Sequence, residues 1–139
     1  MDKLLSPQEV VDRMYHHDAF SQWLGIERLE ERLGYSKVRM TVRKEMLNGF
    51  HIAHGGITFS LADSAFAFAS NGHGRHAVSI DCNINHLQVV REHDVLTAEA
   101  RQVSHKRTQG LYLVEVTNQN GDLVALFKGM VSVRDTLWK

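Results

Sequence analysis

From His54 to Ser70 the chain reads HGGITFSLADSAFAFAS: a pair of glycines, then alanine, leucine and phenylalanine on almost every side. Asp63 carries the only charge in it. A helix that is apolar all round belongs inside a protein, so the rest of the chain must be able to wrap this one. Taking a lone carboxylate inside costs free energy, because desolvation disfavours its ionised form. That cost needs a return, and catalysis is the leading candidate.

The flanking sequence offers the wrapping. Ser6-Pro7-Gln8-Glu9 has the form of a helix start, with Ser6 as N-cap, Pro7 in the first turn and Glu9 closing a capping box. Val10, Val11, Met14 and Tyr15 then recur at helical spacing. A second short helix is expected from Asp18 through Trp23, stopped by Gly25. Ile26 to Arg32 and Tyr35 to Val42 suggest two strands joined at Gly34. In the second, Ser36, Val38, Met40 and Val42 alternate with more polar residues. Asn71-Gly72-His73-Gly74 breaks the central helix.

Beyond that break Val78, Ile80, Cys82 and Ile84 alternate with Ser79, Asp81, Asn83 and Asn85, the period of a half-buried strand. Val95 to Val103, Leu111 to Asn118 and Leu123 to Val133 give three more, the last two joined by the turn signal Asn120-Gly121. About six strands with short connections imply an antiparallel sheet. The expectation is one domain over residues 1–139 of the α+β class, its sheet curled around the central helix. The outer face of such a sheet stays half apolar, which favours association with another copy.

Charge narrows the partners. Lys and Arg number 16, as do Asp and Glu, so net charge gives no reason to expect nucleic acid or an anionic membrane. No apolar run approaches the ~20 residues of a membrane span. The single cysteine, Cys82, excludes an internal disulfide framework, and the first residues are too polar for a signal peptide. A cytoplasmic location is expected.

On a helix, Gly56, Ser60, Asp63, Ser64 and Ala67 fall along one stripe, which gives Asp63 a narrow polar seam. Gly55 and Gly56 leave the first backbone N–H groups of that helix unobstructed, the arrangement of an anion or oxyanion site. A carboxylate beside such a site suits attack on a carbonyl, with Asp63 as general base or nucleophile and Asn48 orienting water or substrate. Each part has a plainer reading. The glycines can serve close packing, Asp63 backbone hydrogen bonding, and Asn48-Gly49 a turn, while Ser60 and Ser64 can bond back to their own helix.

His51-x-x-His54 and His73-x-x-His76, drawn from 9 histidines in all, raise the question of a metal. Both pairs lie in loops without a supporting cysteine, so no metal is expected. Lys106-Arg107 at a strand-to-strand turn is either a solvated tip or a phosphate contact for a large anion.

Met46-Leu47-Asn48-Gly49, His54-Gly55-Gly56 and Ser60-Leu61-Ala62-Asp63-Ser64-Ala65-Phe66-Ala67, in this order and spacing, resemble the hot-dog-fold acyl-CoA thioesterases. Within them the chain is most similar to the PaaI type of bacterial phenylacetate degradation. The resemblance continues through Val116-Thr117-Asn118-Gln119 and Val124-Ala125-Leu126-Phe127-Lys128-Gly129. It implies hydrolysis of phenylacetyl-CoA or a ring-hydroxylated form, with Asp63 as catalytic carboxylate and the Gly55 N–H polarising the thioester carbonyl. It implies that Asn48 comes from the other subunit of a dimer relative to Asp63, and that Ser79 assists. His54, Gly56, Ser64, Lys106 and Arg107 are the accompanying substrate-binding candidates. Coenzyme A is then part of the substrate, no separate cofactor is needed, and dimers joined edge to edge pair into tetramers.

One departure stands out. Close relatives carry an Arg-Pro-Gly-like turn where this chain has Gln88-Val89-Val90-Arg91-Glu92-His93, so contacts to the CoA phosphates must be made differently, with Arg91 as one substitute. Two other functions fit the fold: a thioesterase for other aryl or medium-chain acyl groups, and a non-catalytic module that binds acyl-CoA. A hot-dog dehydratase or hydratase would instead rely on a catalytic histidine, which makes His54 the residue that discriminates.

Overall fold

A buried helix satisfies its own backbone donors and acceptors and a sheet satisfies its own along the ladder, so a curled sheet can cover an apolar helix and leave few backbone groups unpaired. The computed structural model describes residues 3–139. Three helices, α1 (Pro7–His16), α2 (Ala19–Leu24) and α3 (Gly55–Asn71), accompany six strands. The strands are β1 (Glu27–Arg32), β2 (Tyr35–Thr41), β3 (Arg75–His86), β4 (Val95–His105), β5 (Gln109–Thr117) and β6 (Leu123–Leu137). They form one antiparallel sheet in the order β1-β2-β4-β5-β6-β3. Helix α3 packs against all six strands, with α1 and α2 closing over it. This is the hot-dog arrangement.

Local chemistry sets the ends of the helices. Ser6 Oγ accepts from Glu9 N at 3.2 Å and the Glu9 carboxylate accepts from Ser6 N at 3.0 Å, completing the capping box. Asp18 caps α2, and Gly25 ends it in the left-handed region at φ 74°.

The core lies between α3 and the sheet. Phe66 stands edge-on to Tyr112 at 5.9 Å and tilted against Phe127 at 5.5 Å. Its ring tip rests on the backbone of Gly129 in β6, where an added Cβ would come within 2.7 Å of Phe66 Cζ. Phe66, Tyr112 and Phe127 are all fully buried, so the ring has nowhere to retreat.

The expected strands are present, and most run longer than their alternation suggests. β6 continues past Val133 to Leu137 because Arg75 at the start of β3 pairs with Leu137. β4 and β5 close on a turn of only Lys106, Arg107 and Thr108.

β3 departs from the expected alternation. Cys82 and Ile84 pack on the core, but Val78 is 48% exposed and Ile80 53%. The register with β6 slips between Ser79 and Asp81, and β3 is the last strand of the sheet, with no described strand along its outer edge. The opposite edge, β1, is short and rich in glutamate and arginine, the composition that discourages strand addition.

Gly129→Ala forces the buried Phe66 ring off its seat. It is expected to cost about 1–3 kcal/mol, read as a lower urea midpoint; an unchanged midpoint would show that the ring has room to move.

Candidate active site

The start of α3 is prepared by the preceding loop. Leu47 and Ala53 bridge, Asn48 N donates to Ile52 O at 2.8 Å, and His54 N donates to Met46 O at 2.8 Å. Inside this loop Asn48 O accepts from His51 N at 3.0 Å, and Asn48 Oδ1 accepts from Phe50 N at 2.8 Å. The turn reading of Asn48 therefore holds. Because a backbone N–H can only donate, Oδ1 must face Phe50, and the Asn48 amide NH₂ is left for something else.

His54 caps α3, its Nδ1 accepting from Gly56 N at 3.1 Å. That bond occupies one of the two glycine amides. Among the described residues no acceptor meets the Gly55 N–H, which stands at the positive end of the helix. Gly55 and Asn48 line one cleft of about 360 Å³ together with Thr58, His86 and the segment Leu87–Val90. Two amide donors thus share one wall.

Asp63 lies roughly 12 Å further along the helix, at ~1.5 Å per residue. It lines a different cleft, of about 380 Å³, with Ser79, His76, Phe66 and Trp138 among its walls. Among the described residues its carboxylate has no hydrogen-bond partner and no ion pair. Burial, and next the Asp18 carboxylate, hold its pKa above the ordinary aspartate value. The structural alternative, a carboxylate tied to backbone N–H groups, does not describe this residue. Burial, with Asp63 as a further cause, also raises the pKa of the neighbouring Cys82 thiol.

The remaining candidates are spread out. Ser64 is buried beneath α2, its hydroxyl 2.8 Å from Ser21 Oγ, which itself donates to Asp18 at 2.6 Å. This chain ties α2 to α3 one residue from Asp63. His54 and Gly56 border a shallow cleft with Phe20 and Ser60. Ser60 Oγ donates back to Gly56 O at 2.7 Å. Lys106 and Arg107 line a fourth cleft with Arg75, His73 and His105.

In that fourth cleft His73 stacks on His105 at 3.7 Å, and burial followed by the His73 neighbour brings the His105 pKa down to about 4. The paired histidines of the sequence go separate ways: His51 is exposed, His54 caps α3, His73 meets His105, and His76 packs against Trp138. No cluster of three or more His, Cys, Asp or Glu gathers among the described residues.

No local pattern in the chain marks Asp18 as Asp63's neighbour, His86 as lying beside Gly55, or Trp138 as lining Asp63's cleft. Asp18 reads as a helix cap, which it is, and Trp138 lies beyond the expected end of the last strand.

The chain belongs to the thioesterase superfamily, whose family model matches residues 50–125. The acyl-coenzyme A thioesterase PaaI of Escherichia coli is 46% identical over 117 residues, which cover 84% of this chain and 83% of that protein. The structure of E. coli PaaI, from the phenylacetic acid degradation operon, superposes with a TM-score of 0.92 at 38% identity, over 94% of this chain and 95% of that one. A hypothetical thioesterase of Streptococcus pneumoniae, crystallised with coenzyme A, has a TM-score of 0.85 at 29% identity, covering 91% of this chain and 98% of that one.

Asp63 has a consequence for stability whose sign is fixed. A carboxyl whose folded pKa lies above its unfolded value stabilises the fold fully below the unfolded pKa, and that contribution is lost as pH rises through the folded one. At pH 7 the ionised carboxylate therefore burdens the fold. Asp63→Asn is expected to melt higher than the wild type at pH 7, with the gap closing as pH falls toward ~4. An equal or lower melting temperature at pH 7 would contradict the assignment of Asp63 as a desolvated, unpaired charge.

Proposed function

We propose that the protein hydrolyses acyl-CoA thioesters, phenylacetyl-CoA or a ring-hydroxylated form foremost, at a site shared between two copies of the chain. One observation carries this reading: the carboxylate and the amide donors that a thioester hydrolase needs lie near opposite ends of one edge strand, β3, whose outer side pairs with no described strand. His86 stands beside Gly55 and Asn48 at the end of β3, and Ser79 stands beside Asp63 near its start. Pairing β3 antiparallel with the β3 of a second copy sets the end of each strand beside the start of the other. A two-fold interface of this kind makes the same contact twice. Each of the two resulting sites then combines Asn48 and Gly55 of one chain with Asp63 and Ser79 of the other. The exposed Val78 and Ile80 and the open ladder of β3 supply the driving force. Such dimers pairing into tetramers are part of the same proposal.

The chemistry follows from the donors. The thioester carbonyl oxygen accepts from the Gly55 N–H, whose field strengthens as charge develops on that oxygen. Asp63 takes a proton from water as that water attacks the carbonyl carbon, and the tetrahedral intermediate expels the CoA thiolate, which takes up that proton; alternatively Asp63 attacks the carbon itself, the CoA thiolate leaves, and water hydrolyses the resulting mixed anhydride to the free acid and the Asp63 carboxylate. A raised pKa makes Asp63 a stronger base than a solvated carboxylate. The Asn48 amide and the Ser79 hydroxyl position water and substrate.

Arg75, Lys106 and Arg107 offer cations for the CoA phosphates. His54, committed to capping α3, supports the helix start on which the oxyanion donor sits, and no metal or further cofactor enters the scheme. No described helix is long and apolar enough to cross a membrane, and a cytoplasmic site of action completes the proposal.

The test is release of free thiol from phenylacetyl-CoA, hydroxyphenylacetyl-CoA and aliphatic acyl-CoAs. Asp63→Asn is expected to lower kcat by ~10²–10⁴ with KM little changed. Gly55 has no side chain to delete, but it is the first residue of α3, where proline is tolerated, and His54 has the extended backbone (φ −63°, ψ 135°) that a following proline requires. Gly55→Pro removes the N–H itself and is expected to lower kcat by ~10²–10³ while α3 stays folded by circular dichroism. Normal turnover in Asp63→Asn would remove that residue from the mechanism, and silence across the whole panel would refute the thioesterase reading.

A further inference from the structure

Asp63's cleft has a built floor. Its walls follow one face of α3 through Ala67 and Ser70 to Asn71, with Met14, Phe66 and Val131 giving it an apolar lining. Two turns of helix separate Asp63 from Asn71, roughly 12 Å. There Trp138 lines the cleft beside Asn71 and His76.

Trp138 is held on several sides. Its N donates to Gly74 O at 2.9 Å, and its indole Nε1 donates to Asn71 Oδ1 at 2.9 Å. His76 packs on its ring with centroids 4.3 Å apart. Arg13 Nε donates to Lys139 O at 3.2 Å and ties the chain end to α1. Asn71, 2% exposed, spends its full hydrogen-bonding capacity on this corner. Nδ2 donates to Ala67 O at 2.9 Å and to Ala77 O at 3.0 Å, and Oδ1 accepts from Ala77 N as well as from Trp138. A buried polar hub with every valence met rigidifies what it joins. Here it joins the end of α3, the start of β3 and the C-terminal tail.

We propose that Trp138 is a specificity-determining residue: its indole, fixed by Asn71 and His76, is the end wall of the acyl pocket and limits how long an acyl group can extend beyond Asp63. The proposal rests on the thioesterase reading for its substrate, and it gives that substrate a shape. An aryl-acetyl or medium-length acyl group lies along α3 from the carboxylate to the indole, and a longer chain meets the ring. The wall comes from the tail and not from the α3 aromatics alone, so the length limit can be changed without touching the reacting groups.

The test compares wild type, Trp138→Ala and Trp138→Phe with S-alkyl-CoA thioethers of increasing alkyl length, which bind but cannot be hydrolysed. Affinity is read by calorimetry, and kcat/KM is measured on the matching thioesters. In the wild type, affinity should rise by about fourfold per buried methylene and then stop at a definite length. Trp138→Ala should extend that rise by further carbons, with the gain in KM and not in kcat, and Trp138→Phe should fall between the two.

If Trp138→Ala only lowers the melting temperature and keeps the wild-type length limit, Trp138 is a structural cap and the proposal is wrong. Should the alanine variant not fold, Trp138→Phe, whose ring is smaller than the indole, carries the test: a limit longer than that of the wild type upholds the wall, and an unchanged limit overturns it. A shifted thioether limit in a protein that cleaves no thioester would uphold the pocket wall and overturn the thioesterase reading instead.

Discussion

The structure depends on seating one helix, apolar on nearly every side, inside a single curled sheet. That seat is close enough for the Phe66 ring to touch the backbone of Gly129, and Phe127 and Tyr112 hold the ring from the sides. With α3 fixed against all six strands, its one ionisable side chain is fixed too. Asp63 is half-buried and faces a cleft whose walls include Met14 of α1 and Val78 and Ser79 of β3. It keeps its desolvation cost because nothing nearby neutralises it, and Asp18 adds to that cost. A group left so unfavourable in the resting fold is available to a reaction that consumes its charge.

The same packing separates the reacting groups. A helix carries the Gly55 N–H at its start and Asp63 two turns on, and no bend in α3 brings them together. On the proposed reading one chain presents two half-sites, each against a different end of β3. The edge strand, a hazard in a monomer, is then the element that joins them. The proposed dimer would cover its exposed valine and isoleucine and its slipped register. In this account oligomerisation completes the active site, and stability and catalysis share one interface.

Much of the fold could be read from the sequence because its signals are local. The Ser6–Glu9 capping box, the Gly25 stop and the Gly55-Gly56 helix start each depend on a few adjacent residues, and each is realised. β3 was legible as a strand but not in its facing. Val78 and Ile80 keep the alternation of buried residues while a bulge and an empty edge leave them exposed, and neither feature has a signature within the strand itself. Asp63 stood out as a lone charge in an apolar run. Its surroundings did not, because its neighbour Asp18 and the cleft-lining His76 and Trp138 come from three separate parts of the chain. The Ser64 hydroxyl lies on the stripe that periodicity assigns it, yet it turns to Ser21 because α2 folds over that side of the helix.

In the proposed dimer the carboxylate and the oxyanion donor act on one thioester from different chains. Mixed dimers test it directly. Gly55→Pro and Asp63→Asn chains, each nearly inactive alone, are unfolded together and refolded into heterodimers. One of the two sites in each heterodimer then carries both native groups, so acyl-CoA hydrolysis should recover to about half that of the wild-type dimer per heterodimer, as expected for one site of two. If each site were built within a single chain, every site in the mixture would carry one defect, and no activity would return.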